Sequence, residues 1–446
     1  MKRHISQDLL AWKDDHARNV LLVRGARQVG KTYSIRELGA TFRHFVEVNF
    51  EEEPDLRAFF RDSLNPSRLS EKLAAYFATP IVAGETLLFF DEIQACPQAL
   101  SSLRFFHEKM PDLHVVGAGS LLEFALGEIP SLGVGRLSSL FMHPLTFAEF
   151  LDALGESTLC RIFDQADPAH PVDGPFHRRL VERVKTYQLV GGMPAVVNAY
   201  AQKRDLTACF KILDDITVTL QDDFAKYRNR APVARLAEVF RSVVLQAGGK
   251  FKYANVGSTS YTQALKDALS LLVQAGLAHV VRHTHARGIP LGAQVDDRRF
   301  KVILFDVGIH QRLLGLDVPG HLTAGDVELI NKGSLAESLV GQELIGNHPS
   351  HLRPALYYWH RESRGSNAEV DYVIQQGASI VPVEVKAGTR GQMQSMHLFM
   401  SERGLPRGIR ISVENFSRYD HVDAIPLYAV RQLMRPSEIP EVSTGP

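Results

Sequence analysis

Residues 25–32 combine glycines, a lysine and a threonine at a spacing that suits phosphate binding, since they match G-x-x-x-x-G-K-[ST] at every position. Glycines let the backbone turn tightly, so that successive N–H groups and a helix N-terminus face the phosphates. Lys31 would neutralise the β- and γ-phosphates, and the Thr32 hydroxyl would ligate Mg²⁺. The expected ATP-binding residues are Gly25, Ala26, Arg27, Gln28, Val29, Gly30, Lys31 and Thr32.

Two acidic residues follow an apolar run, LLFF at 87–90, about sixty residues after this loop. Asp91 at the tip of such a strand can hold Mg²⁺, and Glu92 can orient the water that attacks the γ-phosphate. Two acids that end a strand on a polar loop would explain Asp91 and Glu92 taken alone. Together with the loop they predict ATP hydrolysis, with Glu92 and Lys31 as catalytic residues and Thr32 and Asp91 as Mg²⁺ ligands.

A second group of chemically active residues lies near the C-terminus, where Asp371 precedes the run Glu384-Val385-Lys386. Alternation along a strand puts Glu384 and Lys386 on one face, and a turn at Gly377 can bring Asp371 beside them. Two carboxylates holding a divalent ion, Mg²⁺ or Mn²⁺, with a lysine near the attacking water, suit phosphodiester cleavage. The alternative is that these residues simply end exposed strands.

The elements that must position these residues divide the chain into regions. Residues 1–150 alternate apolar runs with helical stretches, which predicts a doubly wound α/β domain with a parallel sheet. Residues 151–235 show only helical periodicity, and 236–328 read as helices followed by paired strands, the order of a winged helix. Residues 329–435 predict a helix, three strands and a helix, and 436–446 form a tail.

The predicted winged-helix region contains several basic residues. A helix over 261–276 precedes strands that carry Arg282, His283, His285, Arg287, Arg298, Arg299 and Lys301. A basic wing beside a helix suits contact with DNA phosphates. The helix itself exposes little positive charge, so a protein-contacting lever that responds to the nucleotide is an equally good interpretation.

Composition gives weaker indications. The 446 residues contain 50 Lys+Arg and 50 Asp+Glu, so net charge does not predict a nucleic-acid partner. Cys96, Cys160 and Cys209 are too widely spaced for a CxxC metal site, which suits a reducing compartment. No apolar run is long enough to span a bilayer, so we expect a cytoplasmic protein without a membrane partner.

The chain resembles a family of bacterial and archaeal AAA-type ATPases whose C-terminal half is a domain of unknown function. The segments that carry this resemblance are GARQVGKT, FDEIQ, GAGSLLEFALG, GVGR, HPLTFAEFL, GGMPAVV, KVILFDVGIH, AEVDYVI and VPVEVKAG, in the family's order. The resemblance implies an AAA-type core, a helical lid, a winged helix and a C-terminal α/β module that resembles the PD-(D/E)xK restriction-endonuclease fold.

The same resemblance implies roles for three further residues. Ser120 ends the run HVVGAG at the position where AAA-type ATPases sense the γ-phosphate, although a helix-capping serine fits equally well. Arg136 could supply transition-state charge to its own or a neighbouring subunit's site, or could be an ordinary surface arginine. Glu337 matches the additional acidic residue of the nuclease-like fold and is a predicted metal ligand beside Asp371 and Glu384.

Two functional hypotheses remain open from the sequence. In the first, ATP hydrolysis controls a nuclease-like module that acts on DNA, with Lys386 as a catalytic residue. In the second, the chain is an ATP-dependent signalling or scaffold switch whose C-terminal module docks a protein partner without cleaving. The sequence leaves the homo-oligomeric state open.

Overall fold

The computed structural model describes residues 1–127, 135–257, 262–316, 332–361, 367–388 and 391–435. The α-helices of the described residues are α1 (Ile5–Asp14), α2 (Lys31–Gly39), α3 (Arg57–Asp62), α4 (Pro66–Phe77), α5 (Pro97–Lys109), α6 (Leu122–Leu126), α7 (Phe147–Ala153), α8 (Ser157–Gln165), α9 (Gly174–Val190), α10 (Pro194–Lys203), α11 (Leu206–Asp222), α12 (Val233–Gln246), α13 (Thr262–Gln274), α14 (Val307–Leu313), α15 (Lys332–Gly346) and α16 (Gln394–Arg403). The strands are β1 (Val20–Arg24), β2 (His44–Asn49), β3 (Thr86–Asp91), β4 (His114–Ala118), β5 (Leu137–Phe141), β6 (Ala278–Thr284), β7 (Val295–Leu304), β8 (Leu356–His360), β9 (Glu369–Val370), β10 (Tyr372–Gln376), β11 (Ser379–Val385), β12 (Gly408–Ser412), β13 (Ser417–Tyr419) and β14 (Val422–Pro426).

The N-terminal sheet has five parallel strands in the order β2-β3-β4-β1-β5. The predicted apolar runs form β1 to β4, which confirms the expected α/β core with a parallel sheet. Side chains alternate between two apolar layers, because Leu21 and Val23 of β1 lie in one core cluster while Val20 and Leu22 lie in the other. The short strand β5 was not predicted, since LSSLF contains two serines and lacks a continuous apolar run.

Strand order determines which residues meet. Because β4 lies between β1 and β3, the carboxyl ends of these three strands stand side by side at one edge of the sheet. This edge carries the loop after β1, the acidic pair at the end of β3 and Ser120 after β4. Crevices at such an edge are the usual ligand-binding positions of open α/β sheets.

The middle of the chain is helical from α7 to α12 within the described residues, as its periodicity predicts. The turn between α9 and α10 contains Gly192, whose N–H donates to the Asp306 carboxylate at 2.6 Å. Asp306 also caps α14 by accepting from the Ile309 N–H at 2.9 Å. This buried aspartate therefore ties the helical region to the segment that follows β7.

The region after α12 contains α13 and the antiparallel pair β6–β7. Strand β6 also pairs in parallel with β8, so these strands share the sheet β7-β6-β8-β9 with the C-terminal part of the chain. The predicted domain boundary between residues 328 and 329 lies outside the described residues. On both sides of it, the two regions are joined by this common sheet.

The C-terminal sheet has the order β10-β11-β12-β14-β13. Its first two strands form the predicted antiparallel hairpin, with Tyr372 opposite Val383 and the turn at Gly377. Helices α15 and α16 pack against β11. Within the ranges of the chain given above, no helix is both long and apolar enough to cross a lipid bilayer.

Candidate functional site

The loop at 25–30 enters directly from β1 and leads into α2, which begins at Lys31. Gly25 has a φ of 148°, and a Cβ on this residue would lie 2.1 Å from the Met142 carbonyl oxygen. Gly30 has a φ of 96°, in the left-handed region that favours glycine. Both glycines are therefore required by the backbone path that turns the chain from β1 into α2.

The Lys31 side chain folds back into this loop, where Nζ donates to the carbonyl oxygens of Gly25 at 3.0 Å and Ala26 at 2.7 Å. Burial lowers the pKa of the Lys31 ammonium to about 8, and the nearby carboxylates of Glu92 and Asp91 oppose that shift. A buried ammonium that donates to neutral carbonyls would gain a stronger interaction from a phosphate anion. This arrangement suits the predicted phosphate-binding role.

The Thr32 hydroxyl donates to Asp91 Oδ2 at 2.9 Å, which brings the start of α2 to the end of β3. Burial raises the pKa of the Asp91 carboxyl to about 6, although the Thr32 hydrogen bond acts in the opposite direction. A hydroxyl oxygen beside a carboxylate offers the hard oxygen ligands that Mg²⁺ prefers. The two predicted ligands are thus adjacent, and their chemistry fits this ion.

Glu92 lies in the left-handed region with a φ of 46°. Its Oε2 accepts from Gln94 Nε2 at 2.5 Å and from the Ser120 hydroxyl at 3.4 Å. Helix α6 begins after Leu121 without a side-chain cap, so Ser120 contacts Glu92 and does not cap that helix. Sequence reasoning did not assign Gln94, although it lies within the FDEIQ segment.

Arg27 extends from the loop toward the helical region. Its Nη1 donates to Asp223 Oδ2 at 2.5 Å, and its Nε donates to the Ser120 hydroxyl at 3.3 Å. Sequence reasoning placed Arg27 in the nucleotide-binding loop but did not find Asp223, because the two residues are 196 positions apart.

The structure does not bring Arg136 to the loop of its own chain. Arg136 precedes β5, where Leu137 pairs with Val20 at the start of β1, and it forms an ion pair with Glu108 at 2.8 Å. The loop begins after the other end of β1, which at about 3.3 Å per residue is on the order of 15 Å away. An own-site role for Arg136 is therefore corrected, and a role at a neighbouring subunit's site stays a prediction.

The predicted C-terminal residues lie close together. Lys386 Nζ is 2.7 Å from Glu384 Oε1 on the same strand face, and the Val385 N–H donates to Asp371 Oδ2 at 2.9 Å. These contacts follow from the β10–β11 pairing, which places Asp371 beside the end of β11.

A lysine that sequence reasoning assigned to the DNA-contacting surface occupies the middle of the predicted metal site. Lys301 of β7 is 3% exposed, and its Nζ lies 2.6 Å from Glu369, 3.1 Å from Glu337 and 3.4 Å from Asp371. The surface assignment of Lys301 is wrong, because residues 301–304 of β7 are covered on both faces. His283, also assigned to the wing surface, is fully buried.

The electrostatics of this cluster are those of an internal ion pair. Burial alone would lower the pKa of the Lys301 ammonium, but Glu337, Asp371 and Glu369 hold it well above its usual range. Burial raises the pKa of Glu337 to about 8, with Lys301 opposing the shift, and raises that of Glu384 to about 7. Among the described residues, no three side chains of the metal-binding types are arranged to hold a metal ion. As arranged, Glu337 and Asp371 contact the Lys301 ammonium, so the predicted second metal would have to displace Lys301 from these carboxylates.

Three arginines of the predicted wing form ion pairs with nearby aspartates. Arg298 and Arg299 contact Asp296 at 3.0 and 3.8 Å, and Arg282 contacts Asp297 at 3.2 Å. This pairing reduces the positive potential that DNA phosphates would meet.

Three family profiles match consecutive parts of the chain. Residues 17–151 match the family described as AAA domain. Residues 181–319 and 332–430 match families described as Domain of unknown function (DUF8612) and Domain of unknown function (DUF4143). No curated protein matches the chain.

Several solved structures are similar to this chain. The Walker-type ATPase PABY2304 of Pyrococcus abyssi is 15% identical over 70% of this chain and 95% of that chain, with a TM-score of 0.45. The Aeropyrum pernix ORC1 protein in complex with DNA is 14% identical over 71% and 93% of the two chains, with a TM-score of 0.29. The STAND protein PH0952 from Pyrococcus horikoshii is 11% identical over 76% and 44%, with a TM-score of 0.27.

Identification of the N-terminal domain depends on the AAA match together with the loop geometry. The match covers the parallel sheet, the loop at 25–32 and the acidic pair at the end of β3. Residues 17–151 match an AAA domain in sequence and contain a P-loop that leads from β1 into α2, which supports ATP binding by this chain.

Proposed function

We propose that the chain binds and hydrolyses ATP at the loop of residues 25–32 and that the nucleotide state controls the C-terminal module. The observation that carries this proposal is the 2.9 Å contact between Thr32 and Asp91, with Glu92 as the next residue. This contact supports Mg²⁺ binding by Thr32 and Asp91, with Glu92 beside them to orient water, at the edge of the sheet where phosphates would meet the start of α2.

In this proposal each residue has a defined role. Backbone N–H groups at the start of α2 bind the phosphates, and Lys31 exchanges its carbonyl partners for phosphate oxygens. Thr32 and Asp91 would hold Mg²⁺, which when bound would neutralise charge on the phosphates. Glu92 accepts a proton from the attacking water, and Ser120 orients the Glu92 carboxylate through their contact.

A series of contacts links the nucleotide-binding loop to the C-terminal module. Pro194 at the start of α10 lies beside Gly30, within 3.6 Å of where a side chain on that glycine would begin. The adjacent turn is held by Asp306 through Gly192. From there, the N–H of Val307 donates to the side chain of Gln342 on α15 at 3.0 Å.

We favour a C-terminal module that binds a partner and does not cleave nucleic acid. Lys301 already occupies the place of a cation among Glu337, Glu369 and Asp371, so no metal is needed to neutralise these acids. A protein partner, or a second copy of the chain, would then be bound in one nucleotide state and released in the other.

Nucleotide binding to the purified full chain tests the proposal. We expect saturable binding of fluorescent ATP in the presence of Mg²⁺, and loss of that binding in Lys31→Ala. Lys203→Ala, which changes an exposed lysine at the end of α10, is the matched control and should bind as wild type does. Equal binding by wild type and Lys31→Ala would overturn the proposed site.

A metal-dependent nuclease is the second candidate function. It is favoured by the contact of Lys386 with Glu384 and by Glu384 Oε2, which is buried without a hydrogen-bond partner in the described part of the chain. Incubation with DNA and Mn²⁺, with and without ATP, should show cleavage that Lys386→Ala abolishes and the exposed-lysine change Lys185→Ala retains. Intact DNA in all samples would exclude this candidate for the DNA used.

A further inference from the structure

Arg27 connects the nucleotide-binding loop to three other elements. Its guanidinium contacts Asp223 at 2.5 Å, the Ser120 hydroxyl at 3.3 Å and, more distantly, Glu51 at 4.0 Å. Asp223 opens a short 3₁₀ segment, Asp223–Tyr227, that directly follows α11. Arg27 therefore joins the loop to the ends of β4 and β2 and to the helical region.

The Arg27 and Asp223 side chains, which form the shortest of these contacts, are both partly shielded from water. The Arg27 side chain is 23% exposed and the Asp223 side chain is 12% exposed, so the charges interact more strongly than a surface pair would. Asp223 also contacts Lys226 at 3.5 Å. If Arg27 moved away, Asp223 would still have Lys226 as a cationic partner. The Arg27–Asp223 ion pair can therefore break without leaving the Asp223 carboxylate uncompensated.

The position of Arg27 places its charge beside the predicted reacting groups. The Ser120 hydroxyl accepts a hydrogen bond from Arg27 Nε and donates one to the Glu92 carboxylate. A γ-phosphate bound between Lys31 and Glu92 would thus lie near the guanidinium, and phosphate oxygens match its planar, bidentate geometry.

We propose that Arg27 distinguishes ATP from ADP, because the γ-phosphate competes with Asp223 for its guanidinium. This inference rests on the proposed ATP-binding function and adds to it a specificity-determining residue. With ADP, Arg27 stays on Asp223. With ATP, Arg27 turns to the phosphate and releases the Asp223–Tyr227 segment.

The released segment is well placed to pass on the change. Its Tyr227 ring packs against Phe124 of α6 with ring centroids 5.1 Å apart, and its Phe224 ring packs against Phe240 of α12 at 5.5 Å. Movement of the segment would therefore alter contacts with both the ATPase domain and the region after the helical lid.

Three variants of the full chain test this inference through Kd values for ATP and ADP. Arg27→Ala should lower the preference for ATP over ADP by about tenfold, a typical coupling between two sites. Arg27→Lys keeps the charge but loses the bidentate fork, so its preference should be intermediate. Asp223→Asn removes the competitor and should strengthen ATP binding. Arg43→Lys, in an exposed pair with Glu85, is the control and should match wild type.

Hydrogen exchange of the Asp223–Tyr227 segment provides a second measurement. In wild type, ATP should increase exchange there and ADP should not, whereas Asp223→Asn should exchange rapidly without nucleotide. An unchanged ratio of ATP to ADP affinity in Arg27→Ala, even with reduced stability, would overturn the inference while leaving the ATP site intact. If wild type and Lys31→Ala both fail to bind nucleotide, the proposed function fails and the inference falls with it.

Discussion

Lys301 of β7 lies 2.6 Å from Glu369 of β9, and both residues belong to one sheet that joins two regions of the chain. The same ammonium contacts Glu337 of α15 and Asp371 before β10. One buried cation thus connects β7 to three carboxylates of the C-terminal module. Glu337 and Asp371 are predicted metal ligands, so the effect of removing Lys301 shows whether these acids form an internal ion pair or a metal site.

We expect Lys301→Met to destabilise the protein by about 3–5 kcal/mol, because it leaves the carboxylates of Glu337 and Asp371 without this counter-charge. Mn²⁺ should raise the unfolding temperature of this variant by occupying the vacated position, but should have little effect on wild type. Lys250→Met is the matched control, because Lys250 contacts Glu369 at 2.9 Å from a more exposed position. Lys250→Met should lower the free energy of unfolding by about 0–1 kcal/mol. Equal stabilisation of wild type by Mn²⁺ would show that a metal competes with Lys301.

Removal of the Ser120 hydroxyl should slow hydrolysis more than it weakens binding. In Ser120→Ala, Glu92 and Arg27 both lose a contact, and the loss of one such hydrogen bond corresponds to about a tenfold decrease in kcat. KM for ATP should change little. Steady-state phosphate release measures both constants, with Ser101→Ala on the surface of α5 as the control. A raised KM with unchanged kcat would assign Ser120 to nucleotide binding instead.

Glu343 on α15 gives a prediction about pH. Its Oε1 accepts from the Phe147 N–H at 2.7 Å, and burial raises the pKa of its carboxyl to about 7. The folded protein therefore holds a proton that the unfolded chain, with its ordinary Glu pKa, releases. By linkage, stability contributed by this group falls as pH rises from about 4.5 to about 7.

Glu343→Gln should remove this dependence and be more stable than wild type above neutral pH by about 1–3 kcal/mol. Urea unfolding from about pH 5 to pH 8 measures the difference between the two proteins. Glu182→Gln, an exposed change on α9, should follow the wild-type curve. Parallel curves for Glu343→Gln and wild type would mean that Glu343 is ionised in the folded state throughout.

Local patterns predicted the parts of the structure that depend on local sequence. The loop at 25–32, the apolar strands β1 to β4 and the hairpin at Gly377 each follow from residues close together in the chain. The short strand β5 was missed because its composition resembles that of a loop. Its position is determined by pairing with β1.

Contacts between distant residues could not be predicted in this way. Lys301 was assigned to the surface because basic residues precede it, yet it begins the apolar run KVILF, a signal that could have indicated burial. Its partners Glu337 and Asp371 are 36 and 70 residues away, and Asp223 is 196 residues from Arg27. Such pairs are determined by tertiary packing.

A single-turnover assay of ATP hydrolysis tests the central claim most directly. The full chain, in excess over ATP and with Mg²⁺, should convert bound ATP to ADP and phosphate. Glu92→Gln should bind ATP with unchanged affinity but hydrolyse it about 100-fold more slowly or worse, because the carboxylate that accepts the water proton is gone. The exposed change Glu52→Gln should hydrolyse as wild type does. Hydrolysis by Glu92→Gln at the wild-type rate would contradict the account.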